Sequence, residues 1–195
     1  MKKTITMQEI FGKNKTNSEL EFEIENIEEH IINKIKHQKY ILKKDAYFWF
    51  VNGALHHEND EPAFSFFAGL HTIYAKNGFF HRDNNLPAII IKSSSGEILK
   101  GFWYSNGKIN RGNDKPAVVY NNGTLIWYKD NLMHRDHNKP ALIDETMEKK
   151  EWYYNGKLHR ENGHAIISRN KKLYALNDKI INKEEFNKFN KFKSF

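Results

Sequence analysis

The 195-residue chain has no cysteine and only four prolines. Without cysteine there is no disulfide framework and no thiolate metal site. No apolar run approaches the roughly 20 residues needed to span a bilayer, so no transmembrane helix is expected. Gln8 and Glu9 interrupt the segment after Met1-Lys2-Lys3, so no secretory leader is read there and a soluble cytoplasmic protein is expected. Charge of one sign is not concentrated either. The net +7 is spread as +1 over residues 1–47, +3 over 48–178 and +3 over 179–195. A nucleic-acid binder carries a basic stripe, whereas acids flank most of the bases here.

Aromatic side chains are abundant, at 14% of residues, and a thin sheet gains stability from such large groups. They belong to a phrase that recurs five times. The first copy is Trp49-Phe50-Val51-Asn52-Gly53-Ala54-Leu55-His56-His57-Glu58 with Pro62-Ala63, and the second is Asn77-Gly78-Phe79-Phe80-His81-Arg82-Asp83 with Pro87-Ala88. The third is Trp103-Tyr104-Ser105-Asn106-Gly107-Lys108-Ile109-Asn110-Arg111 with Pro116-Ala117. The fourth runs from Trp127-Tyr128 to His134-Arg135-Asp136 with Pro140-Ala141, and the fifth from Trp152-Tyr153 to His159-Arg160-Glu161, its Pro-Ala worn to His164-Ala165. A degenerate sixth lies at Tyr174 to Asp178. The turn glycine or its substitute falls at 53, 78, 107, 131, 156 and 178, in steps of 25, 29, 24, 25 and 22 residues, a recurrence that marks a repeat architecture.

Each step reads as two extended runs. Val118-Val119-Tyr120, the turn Asn121-Asn122-Gly123 and Leu125-Ile126-Trp127-Tyr128 form strand, turn and strand, since Asn-Gly supplies the positive φ of a type I′ hairpin. Ser93-Ser94-Ser95-Gly96 accounts for the longest step. The expected fold is mainly β: an antiparallel meander of about six repeated hairpins over residues 40–178, elongated or solenoid-like. Residues 1–39 are expected to form an N-terminal helical cap and residues 179–195 a C-terminal amphipathic helix.

The phrase Trp-x-x-Asn-Gly-x-x-His, clearest at Trp152, Asn155, Gly156 and His159, resembles the MORN repeat and its looser bacterial and phage variants. The resemblance covers about 140 residues. One departure is that the glycines which usually follow the His in MORN repeats are Arg82, Arg135, Arg160 or His57 here. The resemblance implies a scaffold or interaction surface, in some members assigned to membranes, rather than a catalyst. A small repeat protein similar to phage variants further implies an inhibitor or adaptor that docks on a larger host protein or nucleoprotein complex.

The termini are read from capping signals. Thr6-Met7-Gln8-Glu9 is a capping box ended by Gly12. Leu20, Ile24, Ile27, Ile31 and Ile35 stand at helical spacing with acids ahead of bases, which predicts a helix over 19–37. The stretch Glu19 to Glu25 also alternates as a strand would. At the other end Asn182 and Glu185 make a second capping box. Phe186, Phe189, Phe192 and Phe195 recur every three residues behind it, among Lys188, Lys191 and Lys193. These rings are expected to cover the last hairpin, in preference to lying on a membrane.

His-Arg-Asp occurs at 81–83 and 134–136 and resembles a kinase catalytic loop, but no glycine-rich phosphate loop or Asp-Phe-Gly accompanies it. His56, His57 and Glu58, or His134, Asp136 and His137, have ligand chemistry. They fall at the same turn of successive copies, however, and Asn110 replaces the His in the third. A ladder satisfying turn backbone and neighbouring copies is the expected role. No asymmetric set of base, nucleophile and charge stabiliser is apparent, so neither enzymatic activity nor a cofactor or metal is expected. The leading expectation is a non-enzymatic binding protein for a protein or nucleoprotein partner, without a membrane partner. Its contact residues are Arg82, Tyr104, Arg111, Tyr128, Arg135, Tyr153, Arg160, Phe189 and Phe192, types that dominate binding hot spots. The alternatives are direct nucleic-acid binding through Arg82, Arg111, Arg135 and Arg160, and a metal-dependent hydrolase built on the His and Asp turns.

Overall fold

The computed structural model describes residues 4–6, 21–43 and 45–192. The chain divides into two compact units, residues 1–107 and 108–195. Each contains an antiparallel meander. In the first unit, strands Glu21–Ile32, Ile35–Leu42, Ala46–Val51, Phe64–Phe66, His71–Ile73, Ile89–Lys92 and Ile98–Phe102 pair in sequence order, and Thr4–Thr6 pairs with Glu21–Glu23. In the second, strands Val118–Tyr120, Leu125–Ile126, Leu142–Asp144, Lys149–Glu151, Ile166–Ser168, Lys171–Leu176 and Lys179–Ile181 follow the same order. Consecutive pairing keeps contacts local in sequence, as a repeat array requires.

Each step holds more strand than the two runs expected. Leu125 to Tyr128 is not one strand: Leu125–Ile126 lies in the sheet, while Tyr128–Lys129 leaves it to pair with Leu132–Met133 in a separate ribbon. Tyr153–Tyr154 pairs with Lys157–Leu158, and Ala75–Lys76 with Phe79–Phe80, in the same way. The break falls at the aromatic residue that opens the phrase, Tyr74, Trp103, Trp127 or Trp152, whereas Trp49 and Tyr174 lie inside unbroken strands. Trp127 N–H donates to Ala141 O at 2.8 Å, while its carbonyl accepts from His134 N–H at 3.1 Å. One residue therefore serves both the sheet and the corner ribbon, and the chain bends there.

The expected helix over 19–37 is absent from the described part of that span. Residues 21–32 and 35–42 are two strands joined by a turn with Asn33 and Lys34 at φ 50° and 68°. Both patterns were present in the sequence, and alternation prevailed because strand Ala46–Val51 presents an open edge that a helix cannot hydrogen-bond. Six register pairs, from His37↔Val51 to Leu42↔Ala46, fill that edge. The hairpin thus caps the array with strand rather than helix. Thr6 is a strand residue, and the rest of the expected first capping box lies outside the described residues.

The C-terminal helix spans Lys183–Phe192, shorter than the stretch 179–195 because Lys179–Ile181 is a strand. Its capping box is reciprocal. Glu185 N–H donates to Asn182 Oδ1 at 2.9 Å, and Asn182 N–H donates to Glu185 Oε2 at 3.0 Å. Phe186 is buried and stacks on Tyr174 at 4.3 Å, and Tyr174 stacks on His164 at 4.1 Å. Phe186 thus covers the last hairpin, Phe189 is half-buried, and Phe195 lies outside the described residues.

The first unit has an aromatic core in which Phe48 stacks on Phe64 at 4.3 Å, with Leu42, Phe50 and Leu55 around them. Elsewhere the closest packing is at the Pro-Ala signature. Ala63, Ala88, Ala117, Ala141 and Ala165 are all 0% exposed. These methyl groups are fully enclosed where the strand re-enters the sheet.

Candidate functional site

Every copy ends its corner ribbon in a turn with two consecutive positive φ values, from Asn52 and Gly53 (48° and 76°) to Asn177 and Asp178 (51° and 68°). Asn, Asp and Gly tolerate this region, which explains the Asn-Gly signature. The second turn residue then docks on the preceding copy. Gly78 N–H donates to Leu55 O, Gly107 to Phe80 O, Asn131 to Ile109 O, Gly156 to Met133 O and Asp178 to Leu158 O, all at 2.9–3.1 Å. The first copy docks on the N-terminal hairpin through its first turn residue instead, Asn52 N–H donating to Lys36 O at 2.8 Å.

The histidines sit at the same joint. His56, His81, His134 and His159 each accept, at Nδ1, the N–H of the first turn residue of the next copy, from 3.0 to 3.2 Å. The acceptor role of Nδ1 assigns the proton to Nε2. Nε2 faces a carboxylate two residues on: Asp83 at 2.9 Å, Asp136 at 2.8 Å and Glu161 at 3.5 Å. Burial pulls the His56 imidazole below its ordinary value, in keeping with a neutral acceptor. The third copy has Asn110 for the His and Gly112 for the acid, so the pair is lost as a unit. A substitute bond appears there, from Ile109 N–H to Asn131 Oδ1 at 2.8 Å.

The arginines close the joint from the other side. Arg82 forks onto Asp60 at 2.8 and 2.9 Å, and Arg135 onto Asp114 at 2.7 and 3.1 Å. Arg160 meets Asn138 Oδ1 at 3.0 Å. Each guanidinium lies flat on the ring opening its own copy: Tyr74 at 3.5 Å, Trp127 at 3.7 Å and Trp152 at 3.8 Å. A further N–H donates to the carbonyl at the proline position, from Arg82 to Pro87, Arg111 to Pro116, Arg135 to Pro140 and Arg160 to His164. Only a carbonyl is read there, so His164 serves where other copies have Pro. Indole N–H groups complete the corner, Trp127 donating to Asp114 O and Trp152 to Asn138 O.

Of the residues expected at a partner surface, Arg82 and Arg135 have side chains only 13% and 14% exposed. With Arg111 and Arg160 they form the joints just described. Tyr104, Tyr128 and Tyr153 are half-buried. Tyr104 packs edge-on to Phe80, and the Tyr153 hydroxyl is pushed up to about 12 by burial and then by Glu151. Phe189 is half-buried and Phe192 exposed. Among the described residues no group of three or more His, Asp or Glu side chains is placed to hold a metal ion, and no helix is long and apolar enough to cross a membrane. Open clefts of about 320–380 Å³ lie between successive corners within each unit, lined by the same positions of the phrase.

Three features had little signal in the sequence. Glu151 is buried at a register position where earlier copies carry Phe48, Ile73, Phe102 and Ile126, held by Lys149 at 2.7 Å. The exposed Phe79 and Leu132 lie against the turn glycine of the following copy: a Cβ on Gly107 would lie 2.8 Å from Phe79 Cδ1, and one on Gly156 3.2 Å from Leu132 Cδ2. Finally, Ile31, Ile32 and Ile35 crowd the tip of the N-terminal hairpin at 77%, 56% and 36% exposure. No known protein family, curated protein or solved structure was found to match the chain.

Proposed function

We propose that this chain is a non-catalytic interaction scaffold that binds a protein or nucleoprotein partner as an adaptor or inhibitor. One observation carries the reading: the groups with chemical potential are committed to joining one copy to the next. The His134 ring nitrogens face Asn155 N–H and Asp136, and the Arg135 fork faces Asp114 and Pro140. A general base needs a free nitrogen within reach of a substrate proton, and a phosphate-binding arginine needs its fork. The repeats instead build a preorganised support, which lowers the entropic cost of association. The MORN resemblance supports the same reading.

The test is affinity purification of the full chain from host-cell extract with mass spectrometry, repeated after nuclease treatment. A stoichiometric protein partner that survives nuclease is expected. Recovery of no partner, or of partners only while nucleic acid is intact, would count against the scaffold reading.

A further inference from the structure

We propose that the tip of the N-terminal hairpin, residues 30–36, is the docking element of this scaffold, entering a protein cleft with aliphatic walls and a carboxylate at its floor. This inference rests on the scaffold reading above. Two exposed apolar side chains within the repeats, Phe79 and Leu132, lie over Gly107 and Gly156, and others, such as Ile98 and Met147, belong to separate strands and turns. The tip isoleucines have no such role. Beyond His37 the hairpin has passed the end of strand Ala46–Val51, since His37↔Val51 is the last register pair, and residues 31–36 are all exposed.

Geometry restricts what can cover the tip. Ile32 and Ile35 are direct cross-strand partners and share one face, whereas Ile31, opposite Lys36, lies on the other. A ribbon with isoleucine on both faces is not covered by a flat surface, so its occupant has to surround it. The leading residues are Asn33 and Lys34, in the left-handed turn. A lipid interior would have to take up the Lys34 ammonium and the turn's peptide groups first, which is costly. A protein cleft can meet both with hydrogen-bond acceptors.

The charge pattern points the same way. Lys36 pairs with Glu29 at 3.2 Å, and Gln38 also donates to Glu29, at 2.6 Å. Lys34 has no carboxylate within ion-pair distance among the described residues. The foremost cation is thus matched by an acid on the partner. The finger is also held rigidly at its base, by Asn52 N–H to Lys36 O and Lys36 N–H to Asn52 Oδ1 at 2.8 and 3.0 Å. Isoleucines on such a base lose little freedom when buried.

The test places a photo-crosslinking residue in the full chain, Ile32→p-benzoylphenylalanine, with Tyr154→p-benzoylphenylalanine on the repeats as comparison, in nuclease-treated host-cell extract. The expected result is one adduct from position 32, its cross-linked peptide carrying aliphatic residues and an Asp or Glu. Its yield should fall about tenfold with Lys34→Glu and persist with Lys34→Arg. All substituted residues are exposed, and an unchanged circular dichroism spectrum checks the fold. An adduct from position 154 but none from 32 overturns the tip and leaves the scaffold reading standing. No adduct from either, with no co-purifying partner, overturns both. An adduct indifferent to Lys34→Glu overturns the proposal. So does binding to mixed phosphatidylcholine and phosphatidylserine vesicles that Ile32→Asp abolishes.

Discussion

The corners of the fourth and fifth copies share a plan and differ in their chemistry. In the fourth, Arg135 forks onto a carboxylate, Asp114, which Lys139 also contacts at 2.6 Å, and the His134 side chain is 4% exposed, 2.8 Å from Asp136. In the fifth, Arg160 makes one bond to an amide, Asn138, and the His159 side chain is 16% exposed, 3.5 Å from Glu161. The guanidinium–indole distance scarcely changes, 3.7 against 3.8 Å, and each arginine still reaches a carbonyl at the proline position. Stacking and backbone contact are therefore the constant parts of the joint, and the ion pair is the variable one.

Removing the constant part should have the largest effect and be equal at both corners. Trp127→Ala and Trp152→Ala should each cost about 3–5 kcal/mol in urea unfolding followed by circular dichroism. A difference above roughly 1 kcal/mol between them would break the equivalence, given the usual error of such series. Next come the arginines: Arg135→Ala and Arg160→Ala should cost about 2 kcal/mol each, mostly through lost packing and the orphaned carbonyl. A much larger loss at Arg135 would show that the fork, rather than the stack, holds the joint. For the histidine, His134→Ala should cost about 1–3 kcal/mol by stranding the N–H of Asn155. The loss of amide protection at Asn155 in hydrogen exchange would locate the effect.

The smallest effects should come from the charges. Asn138→Asp gives Arg160 a carboxylate and should gain no more than about 0.5 kcal/mol, because pairs this exposed are screened. The pH dependence has a definite sign. Arg135, then Lys139, holds the Asp114 carboxyl well below its ordinary value of 3.8, and His134 lowers Asp136. A carboxyl depressed in the folded state adds stability that is complete above the unfolded value and is lost as pH falls through the folded one. The urea midpoint should therefore drop on acidification from about pH 5 to about pH 2, less steeply in Asp114→Asn. An identical slope in that variant would remove Asp114 from the account.

Much of the array was legible because its signals are local. Asn-Gly turns need left-handed backbone, and the Asn182 and Glu185 capping box lies within four residues. The His-Arg-acid ladder followed from recurrence alone, since groups repeated at one turn serve the repeat. The N-terminal hairpin was hidden because the helical spacing of Ile24, Ile27 and Ile31 competes with the alternation of Glu19 to Glu25, and the deciding partner, strand Ala46–Val51, lies beyond the local window. The broken strand at Trp127 was hidden for a similar reason. Its N–H and C=O point to Ala141 and His134, and neighbouring residues do not reveal that division. The inward turn of the arginines was also hidden, because stacking on Trp127 or Trp152 depends on how the corner folds back.

The fit between the residue after the turn and the turn that follows restricts the order of the copies. Bulky Phe79 and Leu132 are followed by Gly107 and Gly156, where nothing larger than hydrogen fits comfortably, and the small Ala54 leaves Gly78 clear by 3.9 Å. Flexible Lys108 and Lys157 are instead followed by Asn131 and Asp178, whose side chains accept from Ile109 and Leu158 N–H. Unequal recombination that deleted the third copy would set the Phe79 ring against Asn131. Although the phrases look interchangeable, those carrying Phe79 and Leu132 need glycine in the turn of their successor, and a gene shuffled at either point would encode a stack with a steric fault at the splice.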